Sequence, residues 1–266
     1  MTSMTRVLQL ARRANVWLEP LRLSVCILAG LLASAGFVLA RQAISWTAVA
    51  AVFFIAVSAM LQNDWRDRFH DVHKGRPLAF ERPRAFFALL AAFWAASAGA
   101  VALVALREPR VAVGLSALAL AGIVYSETRR LPLVPIAIVS LTSAAPAILP
   151  AAGGANAARL WPLFAATALV IFAREVMKDL DDRAIDGGYK WTLPLALGER
   201  RARQLAAGAV LAGLAAAASV SPLVWPGALL VGAASIALVR GTDPLKVRNC
   251  LDTGMALVIL GLVAFG

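Results

Sequence analysis

Residues 46–71 read WTAVAAVFFIAVSAMLQNDWRDRFHD. Between Trp46 and Gln62 the stretch carries no charged side chain. An unbroken run near twenty residues is what a helix needs to cross a hydrocarbon core of about 30 Å. A transmembrane barrel strand would instead alternate apolar and polar positions, and this run does not. The run ends in Asn63, Asp64, Asp67 and Asp71. Carboxylates at a bilayer boundary are costly and mark function. The same conjunction recurs where the apolar run 161–177 meets Asp179, Asp181, Asp182 and Asp186.

The rest of the chain repeats the apolar pattern. Of its 266 residues 61% are hydrophobic and only 15% charged, and its mean hydropathy is +0.76. Soluble domains carry about 25% charged residues, so the composition excludes an ordinary soluble fold. Apolar runs lie near 22–40, 46–62, 85–106, 111–126, 132–151, 161–177, 204–220, 223–239 and 250–265. The expectation is an all-α polytopic membrane protein: one domain over 1–266, a bundle of nine transmembrane helices. The two acidic loops lie a little over a hundred residues apart (each after an apolar run), which suggests two pseudo-halves near 1–132 and 133–266. A cleaved leader explains nothing here, because apolar runs recur to the last residue. Cys26 and Cys250 both fall in apolar segments and read as packing residues.

The net charge of +11 does not point to nucleic acid, because the basic residues sit in short loops between apolar runs. All but four of the 26 Lys and Arg residues fall with the N-terminal segment and the loops after even-numbered runs; Arg41, Arg107, Arg110 and Arg159 are the exceptions. The positive-inside rule then places the N-terminus and both acidic loops in the cytoplasm, in a multi-pass protein of the cytoplasmic (inner) membrane in contact with membrane lipids. Trp17, Trp46, Trp161 and Trp225 stand near span ends, as interfacial anchors do.

Asn63, Asp67 and Asp71 are spaced i, i+4, i+8, and Asp179, Asp182 and Asp186 are spaced i, i+3, i+7. On helices each set forms a one-sided strip. Two facing carboxylate strips repel unless cations intervene. Mg²⁺ suits hard oxygen ligands and is held by a few carboxylates plus substrate phosphates, so the two strips read as a site for a diphosphate bridged by Mg²⁺. Asn63, Asp67, Asp71, Asp179, Asp182 and Asp186 are the candidate ligands. Asp64 and Asp181 point off the strips, toward orienting the ligands or activating an acceptor. Arg76, Tyr125, Arg129, Lys178 and Lys190 are candidate diphosphate contacts, with the cations placed to meet the charge of a departing group. His70 and His73 are expected to be solvated, and Glu175 and Asp252 to pair with nearby Arg residues.

These residues resemble the signatures of the UbiA-type membrane prenyltransferase superfamily. Asn63, Asp64, Asp67 and Asp71 match N-D-x-x-D-x-x-x-D, and Lys178-Asp179-Leu180-Asp181-Asp182 through Asp186 resembles K-D-[IL]-[ED]-D-x-x-x-D. Between and after them, Arg76-Pro77, Tyr125-Ser126 with Arg129, Thr192-Leu193-Pro194 and Leu197-Gly198 also look like the family's elements. The second signature is similar to that of archaeal-lipid geranylgeranyl transferases, while Asn63-Asp64-Trp65 is similar to chlorophyll synthases. Glu19-Pro20-Leu21-Arg22 stands where many members carry R-P-x-N. The resemblance implies nine transmembrane helices around a lipid-accessible cavity, with caps over the cytoplasmic loops. It also implies Mg²⁺-dependent transfer of a prenyl group from a polyprenyl diphosphate to an aromatic, quinone-precursor or other lipophilic acceptor. A terpene cyclase or a sugar-diphosphate (phosphoribosyl-type) transferase would share the metal site, and a membrane transporter is the alternative of another class.

Overall fold

The computed structural model describes residues 17–128, 130–187 and 190–266, and the described residues form helices, turns and loops only. The long helices are α1 (Leu23–Leu39), α2 (Trp46–Asp71), α3 (Pro83–Ala105), α4 (Pro109–Tyr125), α5 (Val134–Ala144), α6 (Ala157–Asp181), α7 (Glu199–Ala217), α8 (Trp225–Val239) and α9 (Pro244–Phe265). Each expected span falls on one of them. Proline opens α3, α4 and α9, where a missing N–H costs nothing. Trp46, Trp161 and Trp225, at the starts of α2, α6 and α8, are about half exposed or more, as interfacial side chains should be.

Among the described residues seven helical stretches, rather than nine, are long and apolar enough to cross a membrane. The two that fall short have different reasons. Helix α4 has only 17 residues. Helix α7 has 19, but it begins Glu199-Arg200-Arg201 and buries mainly alanines. Helix α5 is interrupted instead: a 3₁₀ segment, Ala145–Ile148, and a short helix, Leu149–Ala152, continue it. Pro146 and Pro150 lack the N–H groups that an uninterrupted ladder would need.

Four apolar clusters hold the bundle among the described residues. Helices α1 to α4 bury Val52, Ile55, Val104 and Leu115. Helices α6 to α9 bury Met177, Val210, Leu238 and Leu251. A third cluster, with Leu32, Leu163 and Leu262, joins α1, α6 and α9 across the middle. Lipid offers no hydrophobic drive between helices, so close backbone approach through small residues does this work. A Cβ on Gly227 of α8 would stand 2.3 Å from the carbonyl oxygen of Gly254 of α9. One on Gly36 of α1 would stand 2.4 Å from that of Ala147.

The polar ends of α2 and α6 differ from the sequence expectation. The loop expected from residue 63 begins later, because α2 stays helical through Asp71. It therefore presents its carboxylates from a rigid rod. The second strip is not one continuous face. Helix α6 ends at Asp181, Asp182 caps it, and Asp186 sits on a separate short helix, Arg183–Asp186.

Candidate active site

The ends of α2 and α6 meet around one cleft. Its polar wall carries Asn63 and Asp67 from α2, Glu175, Lys178 and Asp179 from α6, with Tyr125, Lys190 and Thr192. Its apolar wall includes Pro135, Ile136 and Val139 on one face of α5, with Trp191 and Leu193. Charge at one end and hydrocarbon along the side suit an amphiphile whose head is anionic.

Two lysines cross between the acidic groups. Lys74, in the turn after α2, donates to Asp182 Oδ2 at 2.6 Å and stands 2.9 Å from Asp186 Oδ1. Lys190, beyond α6, reaches back to Asp67 Oδ2 at 3.7 Å. Asp186 is almost fully buried, 1% exposed at the side chain. Burial alone would raise its pKa, but the charge of Lys190 and the hydrogen bonds from Lys74 and His70 hold it below the usual carboxylate range. Burial, joined by the charges of Lys178 and Lys74, pushes Lys190 down to about 8.

The structure brings Asn63, Asp67, Tyr125, Lys178, Asp179 and Lys190 to the cleft wall. Asp71, Asp182 and Asp186 stand around Lys74 and Lys190 and are not part of the cleft wall itself. Arg76 does not line the cleft; it is half exposed, with Nε 3.8 Å from Glu19 Oε1. Arg129 lies outside the described residues. Asp64 is buried and bound by Arg22 Nη2 at 2.6 Å, so the two residues with the least obvious roles are each other's partners. Asp181 faces away, 3.8 Å from Arg248.

The expectation for His70 is corrected as well. His70 is not solvated: its side chain is 11% exposed and Nε2 lies 3.0 Å from Asp186 Oδ1. Asp186 is 116 positions away in sequence, so no local spacing could reveal the contact. Arg22 and the pairing of Glu175 with Lys178 were missed too. The Lys178 signal was legible in retrospect, because the pair is spaced i, i+3 on a helix. Thr192 gives a further clue. Its hydroxyl is buried in the cleft wall and has no hydrogen-bond partner among the described residues. Buried polar atoms are nearly always satisfied, so an orphan hydroxyl on a residue of the cleft wall fits a polar ligand.

Among the described residues no three His, Cys, Asp or Glu side chains are gathered closely enough to hold a metal by themselves. That donor set still suits Mg²⁺, which takes one or two carboxylates and completes its shell with waters and phosphate oxygens.

Residues 23–251 match the sequence model of the UbiA prenyltransferase family. The chain belongs to that family. It is an enzyme family of prenyltransferases, and this member is 31% identical over 250 residues to the digeranylgeranylglyceryl phosphate synthase of Halobacterium salinarum. The match spans 86% of this chain and 87% of that one. Two solved UbiA homologues share the fold. That of Aeropyrum pernix K1, in its apo form, superposes with a TM-score of 0.74 at 18% identity, over 91% of this chain and 98% of that one. That of Archaeoglobus fulgidus, bound to GPP and Mg²⁺, gives 0.69 at 18% identity, over 94% and 98%.

Proposed function

We propose that this UbiA-family member transfers a prenyl group from a polyprenyl diphosphate to a lipophilic acceptor, with Mg²⁺ held between the ends of α2 and α6. The observation that carries the reading is the convergence of Asp67 and Asp179, from helices more than a hundred residues apart, on one cleft with Lys178, Lys190 and the orphan hydroxyl of Thr192. Asn63, Asp67 and Asp71 on one side, and Asp179, Asp182 and Asp186 on the other, would hold the metal. When bound, Mg²⁺ supplies charge to the departing diphosphate.

The chain's own residues do the rest. Lys178 and Lys190 meet diphosphate oxygens, and Thr192 and Tyr125 donate hydrogen bonds to them, so that charge developing on the leaving group finds fixed partners. Lys74 neutralises Asp182 and Asp186, keeping them from repelling an anion. Ile136, Val139 and Leu193 give the tail an apolar wall that also excludes water from the allylic carbon. In this reading α4 and α7, which fall short only by length or by the charges at one end, cross the bilayer with the other seven stretches, and the cleft lies at the cytoplasmic face.

The 31% identity to a digeranylgeranylglyceryl phosphate synthase favours a glyceryl phosphate lipid as acceptor over an aromatic ring. The test is a Mg²⁺-dependent diphosphate-release assay with prenyl donors of graded length, supplied with a glyceryl phosphate ether lipid, an aromatic acid or no acceptor. Release and a prenylated lipid product in the first arm support the reading. Product only with the aromatic acid overturns the acceptor, release with no acceptor indicates a cyclase, and no release with any donor overturns the function.

A further inference from the structure

Four charges run in alternating sign from the side of the bundle to the cleft. Asp252, on α9, accepts from Arg174 Nε at 2.6 Å. Arg174 Nη1 donates to Glu175 Oε1 at 2.7 Å. The other oxygen of Glu175 accepts from Lys178 Nζ at 3.0 Å. Only Glu175 and Lys178 line the cleft; Arg174 and Asp252 stand behind its wall. A second pair, Arg248 with Asp181, ties the same faces of α9 and α6 together.

We propose that Asp252, Arg174 and Glu175 are positioning residues that aim the Lys178 ammonium at the diphosphate, a role that rests on the function proposed above. The reason is competition. Lysine is a compact charge on a flexible stem, and Lys178 sits beside Asp179, with Asp67 on the same cleft wall. Left to itself it would collapse onto those carboxylates and spend its charge where the metal belongs. Glu175 prevents this by holding the ammonium one helical turn back. Glu175 can do so only while each of its oxygens serves one cation. Asp252 secures that division by drawing part of the Arg174 guanidinium away. Remove Asp252, and Arg174 is left with Glu175 as its one carboxylate; Glu175 turns toward it and Lys178 is released.

The relay makes a prediction that a merely structural ion pair does not. Binding of a thio-linked geranylgeranyl diphosphate analogue with Mg²⁺ is measured by calorimetry on the full chain in nanodiscs. Four proteins are compared: wild type, Asp252→Asn, Lys178→Met and the double variant. Asp252→Asn is expected to weaken binding about fivefold, within the range of couplings between contacting charges. In the Lys178→Met background the same change is expected to cost nothing, because there is no ammonium left to aim. Equal losses in both backgrounds, or none in either, overturn the relay. If Lys178→Met alone binds as tightly as wild type, Lys178 is not a diphosphate contact and the relay falls with it. If the wild type does not bind the analogue, the proposed function fails first, which the release assay reports independently. Glu175→Gln removes the clamp directly and should weaken binding at least as much as Asp252→Asn, again only where Lys178 is present; unchanged binding in this variant also overturns the proposal.

Discussion

Lys190 offers the sharpest test of the proposed diphosphate site, because its charge titrates in a range that ordinary lysines do not. Burial, with Lys178 and Lys74 nearby, pushes it down to about 8. The sign follows: the ammonium is present below that pH and is lost as pH rises through it. With a pKa near 8, roughly nine-tenths of the free enzyme carries the charge at pH 7 and roughly one-tenth at pH 9. Because kcat/KM reports the ionisations of free enzyme, it should fall about tenfold between pH 7 and 9 if the charged form alone engages the donor. Lys190→Arg keeps a cation at every accessible pH and should flatten the profile over that window. Lys190→Met should be low and flat. The assay is initial-rate diphosphate release at sub-saturating donor, with constant free Mg²⁺. Superimposable alkaline limbs for wild type and Lys190→Arg would refute the assignment, since the limb would then belong to another group or to the donor.

Other perturbations separate binding from folding. Asp67→Ala and Asp182→Ala should each abolish Mg²⁺-dependent release while leaving a folded protein by circular dichroism; full activity in either removes it from the site. Thr192→Val should weaken binding of the donor analogue by about 0.5–1.5 kcal/mol, the worth of one neutral hydrogen bond, yet leave thermal stability unchanged or raised, because an unsatisfied buried hydroxyl is removed. Lower stability with unchanged affinity would contradict it. Gly227→Val should destabilise the protein in detergent by about 1–3 kcal/mol or more, the usual cost of overpacking, since even its Cβ meets backbone at 2.3 Å. An unchanged melting temperature would mean that α8 and α9 do not approach as described.

How legible this was in the sequence depended on the range of the interaction. The helices announced themselves, because apolar runs of sixteen residues and more need no partner to be recognised. The two strips were legible because helix periodicity is local, although the break at Asp182 hid within a pattern that still looked continuous. Contacts made across the bundle were invisible. Nothing near Arg22 or Asp64 signals that they touch, and His70 appeared as a polar residue in a charged loop. The membrane count was distorted by composition: α7 carries Glu199, Arg200, Arg201 and Arg203 in its first turns, and α4 is simply short. Thr192 stood within a recognisable stretch, but its lack of a partner exists only in three dimensions.

The lysine crossings impose a condition on how this chain could ever be divided. Lys74 follows the first acidic helix and serves acids beyond the second; Lys190 follows the second and serves an acid on the first. Each end lends the other a counter-ion, so in isolation each would lose one of the charges that balance its carboxylates. Fragments cut between them would each inherit a less balanced cluster, and the cleft shared by the two helix ends would return only on reassembly. The cleft is a property of the exchange, and a swap of one lysine's loop between relatives would have to be matched by its counterpart.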